Sequence, residues 1–191
     1  MYGEAMSTVA HARGVLAGAA ILTLFGNLWS FLALVFWDAR PRWSLPASNL
    51  VTTLLLAFCL ARFISWRKIP SIDDPIAAAK GKRAGMWFGI IFGVEGLLIW
   101  LAAMLLNHFG LSVWIPIAAA IIIGLHFLPL ARLFKVPLYY WTGAFAILGP
   151  LACCAISNPA LRTLCASLVM AAILWGTAAL LLALTHPTQP A

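Results

Sequence analysis

"AGMWFGIIFGVEGLLIWLAAMLL", Ala84 to Leu106, decides the fold. It is one unbroken apolar run with a single ionisable residue, Glu95. An α-helix needs ~17–25 such residues to cross the hydrocarbon core of a bilayer. A membrane β-barrel would show short alternating segments instead.

The rest of the chain has the same character. Its 191 residues are 64% hydrophobic and 9% charged, with a mean hydropathy of +1.01. Soluble domains carry about 25% charged residues, and no soluble core of this size hides so much apolar surface. The sequence predicts an all-α polytopic membrane protein, one transmembrane domain over residues 1–191. Six spans are expected near 14–37, 45–66, 84–106, 111–130, 136–157 and 161–185, with a cytoplasmic loop at 67–83. The first run is longer than the ~7–15 residues of a signal-peptide core and lacks a small-residue cleavage pattern, so it reads as a retained span.

Basic residues set the expected orientation. Arg13, Arg62, Arg67, Lys68, Lys80, Lys82, Arg83, Arg132 and Lys135 fall on the N-terminal side, against Arg40, Arg42 and Arg162 on the other. The positive-inside rule then puts both termini in the cytoplasm of a cell (inner) membrane. Trp37, Trp43 and Trp114 at outer ends, and Trp66, Trp87 and Trp141 at inner ends, form the expected interfacial belts. The net charge of +7 is thus an orientation signal, and no separate basic domain supports nucleic-acid binding. In the loop, Asp74 before Pro75 marks the start of a short surface helix or of a solvated connection.

Two stretches echo each other. "LPASNLVTTLLLAFCLARF" (Leu45–Phe63) and "IPIAAAIIIGLHFLPLARL" (Ile115–Leu133) share the spacing from proline to Leu-Ala-Arg. The spans therefore read as tandem two-helix hairpins, with spans five and six as a diverged third. His126 stands where the first hairpin has Leu56, and Asn27 has an approximate counterpart in Glu95.

Glu95 needs the most explanation. A charge at mid-bilayer costs on the order of 3 kcal/mol on insertion scales, so the carboxyl should face protein or water, or carry a proton. It is either a proton or cation site or a structural hydrogen-bonding group. Gly85, Gly89, Gly93 and Gly96 form one narrow ridge at helical spacing, a surface for close helix packing. Glu95 lies roughly 120° from that ridge, so helix three is expected in the middle of the bundle, with a neighbour for each face.

His126 belongs to "GLHFLPLARLFKVPLYY" (Gly124–Tyr140), otherwise an inner turn between spans four and five. Pro129 cannot donate to the Leu125 carbonyl, so a kink is expected beside the histidine. His126 is a candidate proton shuttle or a neutral interface group. Rise per residue puts it ~6–9 Å deep and Glu95 ~16 Å deep, depths too unequal to assume a direct pair, though a water could bridge them. Asn27, Ser30, Thr52 and Thr53 either line a polar path with Glu95 or serve as interhelical glue.

No metal or cofactor motif is present, and the four cysteines lack a C-x-x-C pair. Cys153 or Cys154 lies at a depth suited to pairing with Cys165, or all three are packing residues. There is no G-x-S-x-G, H-E-x-x-H or P-loop to carry an enzyme reading.

With "GIIFGVEG" and the His-Phe-Leu-Pro segment followed by paired tyrosines, Gly85–Gly143 resembles an uncharacterised family of small bacterial multipass membrane proteins. That resemblance implies a fold and no activity. The expected function is a small transporter or permeation subunit with a mid-membrane carboxyl; the alternative is a scaffold, sensor or assembly factor. The expected partners are the lipid bilayer and a second copy or another membrane protein; the substrate is not legible.

Overall fold

The computed structural model describes residues 2–37, 41–67 and 75–185, with side chains described for 13–37, 41–65, 79 and 81–185. Arg40, Lys68, Ile72 and Asp74 lie outside the described residues, as do the side chains of Trp66, Arg67 and Lys80. The described chain is all α, with no strand: α1 Tyr2–Val35, α2 Ser44–Arg67, α3 Pro75–His108, α4 Ile115–Phe134, α5 Leu138–Cys153 and α6 Pro159–Leu184. A 3₁₀ turn, Ser112–Trp114, leads into α4. Five helices hold segments long and apolar enough to cross a membrane, and α5 is a shorter apolar helix.

Two boundaries differ from expectation. Helical backbone begins at Tyr2 rather than near Gly14, and α3 runs unbroken from Pro75 instead of following a separate surface helix. Both extensions lack an internal stop: "IAAAKGKRA" after Pro75 is rich in good helix formers, and Gly81 alone costs only ~1 kcal/mol. Real stops are chemically specific. Lys135 closes α4 in the left-handed region (φ 55°), its N–H bonding the Ala131 carbonyl. Asn158 caps α6 by accepting from the Leu161 N–H at 3.0 Å, ahead of Pro159 in the first turn.

The broadest packing joins α1 to α6, then α4 to α5; α2 leans on α1 and α3 on α4. The core is dry and small-grained: Ala19, Ala33, Ala120, Ala146, Ala166 and Ala178 are fully buried, with Phe127, Met170 and Leu174 filling the space between them. Small residues let helix backbones approach, which matters in lipid because tails offer no hydrophobic contrast. At the α4/α5 crossing a Cβ on Gly143 would stand 2.7 Å from the Gly124 carbonyl oxygen, so these helices touch backbone to backbone. Gly26 receives the Trp175 indole, whose Nε1–H donates to the Thr23 carbonyl at 3.2 Å. Thr142 and Thr177 join α5 to α6 through their hydroxyls at 2.9 Å.

α3 is a peripheral helix, not the central one expected. Its half-buried and buried positions, Ala84, Phe88, Ile91, Glu95, Ile99, Ala102 with Ala103 beside it, and Leu106, recur at three- and four-residue steps, the pattern of a single seam. A ring ladder pins that seam: Phe88 meets Phe134 of α4 and stacks on Phe92, which meets Phe25 of α1, each at 6.0 Å between centroids. The glycine ridge lies off the seam. A Cβ on Gly85, Gly89, Gly93 or Gly96 would meet nothing within 4 Å among the described residues. The close helix contact expected of this ridge is not made within the described chain.

Candidate functional site

Glu95 and His126 meet directly. Nδ1 of His126 lies 3.1 Å from Oε2 of Glu95, across the α3/α4 seam. This corrects the expectation of unequal depth. α4 continues through Pro129 to Phe134 and α3 begins at Pro75, so both helices run past the span ends from which depth was counted, and rise below those ends does not fix which residues face each other.

The pair is well enclosed. Glu95 is 7% exposed, which is why the carboxyl tolerates an otherwise peripheral helix. The His126 ring lies nearly parallel to Phe127, 4.9 Å between centroids, which fixes its plane. Although the atoms are close, neither Oε2 nor Nδ1 has a hydrogen-bond partner of good geometry among the described residues. The 3.1 Å distance therefore marks a close electrostatic contact with unused hydrogen-bonding capacity, not a saturated bond.

Chemically, the arrangement could hold one proton in two ways. Carboxylate with imidazolium and carboxylic acid with imidazole both carry zero net charge. Exchange between them avoids the isolated mid-membrane charge that makes lone acids costly. Pro129 adds a further polar atom nearby, because it cannot donate to the Leu125 carbonyl one residue before His126.

The pair also borders a cleft. A cavity of about 280 Å³ is lined by Glu95 and His126 together with Val94, Leu98, Ile122 and Pro129, among others. A wider one of about 740 Å³, lined by Trp87, Arg132 and Tyr140, shares Ile91 and Pro129 with it. Together they make a groove along the α3/α4 seam, from the pair to the Arg132 end. No helix other than α3, α4 and the first turn of α5 lines it.

The other polar groups are spent elsewhere. Ser30 donates to Ser48 at 2.8 Å and Ser48 to Asn27 at 3.0 Å, a chain tying α1 to α2. Thr52 bonds the Ser48 carbonyl at 3.1 Å, and Thr53 is exposed. Asn27 is thus engaged by Ser48, while Glu95 is met by His126.

One functional-looking residue escaped the sequence reading. Arg162, counted only as an orientation marker, is 6% exposed. Its guanidinium lies 3.8 Å from the Trp114 ring centroid. The signal was its place in the first turn of an otherwise apolar helix, within one turn of Asn158. Near it, Cys153, Cys154 and Cys165 gather around Ile117 and Ala166 with all thiols free.

No family model matches the chain, and no curated protein or solved structure is similar to it. The resemblance carried by the Gly85–Gly143 motifs gains no support from these comparisons.

Proposed function

We propose that the protein is a six-span integral membrane protein, both termini cytoplasmic, working as a small transporter or permeation subunit in the cell membrane. Its spans form three hairpins in tandem, and the Glu95–His126 pair is the protonatable centre. The observation that carries this reading is the 3.1 Å approach of two titratable side chains, Glu95 buried and His126 half-buried, between apolar helices. Isolated groups of this kind are costly in a membrane and mark ion and proton pathways. The groove from the pair toward Arg132 supplies an approach from the side taken as cytoplasmic. Asn27 supports the α1/α2 pair and stands outside the centre.

The experiment is flux into proteoliposomes under an imposed pH gradient, with Glu95→Gln reconstituted to the same folded level. The parent should carry a pH-driven flux that the variant loses. Equal flux in both removes the pair from the mechanism.

A scaffold or assembly role draws on a different observation. The Gly85–Gly96 ridge faces outward, and Met86, Ile90 and Leu97 beside it are exposed. Such a ridge suits a second copy or another membrane protein. Cross-linking across α3 in native membranes tests that reading.

A further inference from the structure

We infer that the α3/α4 groove is the seat of one anionic glycerophospholipid, its phosphate on Arg132 and an acyl chain running past Pro129 toward Glu95. The groove has two unlike ends. At the wide end stand Arg132, Tyr140 and Trp87, a cation beside two amphipathic rings of the kind that settle at headgroup depth. Beyond Pro129 the walls are Val94, Leu98, Ile122 and Leu125, all hydrocarbon, on both sides of the Glu95–His126 pair. This is the shape and polarity of a lipid with its head outward, and a free inorganic anion would find no use for the apolar half.

Charge favours an anionic head. Arg132 is exposed and makes no ion pair or hydrogen bond with a described residue. Its counterpart in the repeat behaves differently: Arg62 donates to the Thr185 carbonyl at 3.4 Å and lies over the Phe58 ring. The same end of the molecule presents the exposed Lys82, Arg83 and Lys135. Among the described residues the one acidic side chain lining the groove, Glu95, lies in its narrow part and not in the wide part where Arg132 stands. Basic pockets between membrane helices of this kind hold anionic headgroups.

The deep end gives the lipid a consequence. Oε2 of Glu95 and Nδ1 of His126 retain unused hydrogen-bonding capacity, buried just behind the groove wall that the two residues line. An acyl chain lying there excludes water from the pair, so occupancy sets the access of protons to it. Binding itself needs Arg132 and the apolar walls and does not depend on the transport reading.

The test is native mass spectrometry of the full chain in detergent, titrated with phosphatidylglycerol, phosphatidylcholine or inorganic phosphate. The parent should retain phosphatidylglycerol in preference to phosphatidylcholine. Arg132→Gln should cut that preference about fivefold, the effect of one basic residue at an anionic surface. Lys135→Gln, at the same end but off the groove, should leave it unchanged. Val94→Trp, which fills the narrow groove from an exposed position, should lose both lipids while folding normally. Glu95→Gln should still bind, which separates this seat from the proton-site reading. Equal retention of the two lipids by the parent, equal loss in the Arg132 and Lys135 variants, or displacement of lipid by inorganic phosphate would each overturn the proposal.

Discussion

The imidazole of His126 lies against the carboxyl of Glu95 at 3.1 Å, and each is the other's polar neighbour in an apolar seam. Removing one member therefore strands the other. His126→Leu should destabilise the folded protein in detergent more than Glu95→Leu/His126→Leu together, because the double change leaves no buried orphan. Coupling between residues in contact is about 0.5–3 kcal/mol. Thermal unfolding of the parent, both single variants and the double measures it, and additive effects would show that the contact carries no energy.

The glycines divide into two classes with opposite expectations. Gly124→Leu and Gly143→Leu force a side chain into a backbone carbonyl of the facing helix and should abolish the folded state. Gly89→Leu and Gly93→Leu point into open surroundings, so the monomer should unfold within a degree or two of the parent. Any loss from the second pair should appear in cross-linked assemblies. A monomer that melts early with Gly93→Leu contradicts the outward ridge.

Buried Arg162 and half-buried Trp114 form a second partnership, with the guanidinium 3.8 Å from the ring centroid. A partly desolvated stack of this type contributes about 1 kcal/mol. Trp114→Leu should cost the protein on that order, and Arg162→Lys should not restore it, since a compact ammonium cannot reproduce the planar stack. Equal stability of Arg162→Lys and the parent would reduce Arg162 to an orientation charge.

The proposed topology rests on the basic residues. Single cysteines placed near Arg42 and Asn158 in a cysteine-free background should label from outside the cell, and one near Lys82 only after permeabilisation. Labelling of Lys82 and Asn158 positions from the same side would show that the spans are miscounted.

The helical membrane fold was legible because apolar run length is a one-dimensional property, readable at Ala84–Leu106 without any contact. Helix ends were less so. Tyr2–Val35 and Pro75–His108 extend past the apolar runs because nothing in those segments stops a helix, and hydropathy is blind to that. The position of α3 was illegible for a physical reason. In lipid every face of a helix is apolar, so the seam of Phe88, Ile91 and Glu95 has no contrast with the glycine stripe beside it. Glu95 and His126 stood out singly as polar residues in apolar runs. Their meeting depends on the register of α3 against α4 along the seam, which residue counting from span ends could not give.

The central claim is that Glu95 and His126 hold a proton between them. The ring ¹⁵N signals of His126, recorded on histidine-labelled protein in lipid nanodiscs at neutral pH, report directly where that proton sits. The account predicts that Glu95→Gln, with fold and stability retained, moves the His126 nitrogen signals while those of His108 stay fixed. Identical His126 signals in the parent and the variant would contradict it.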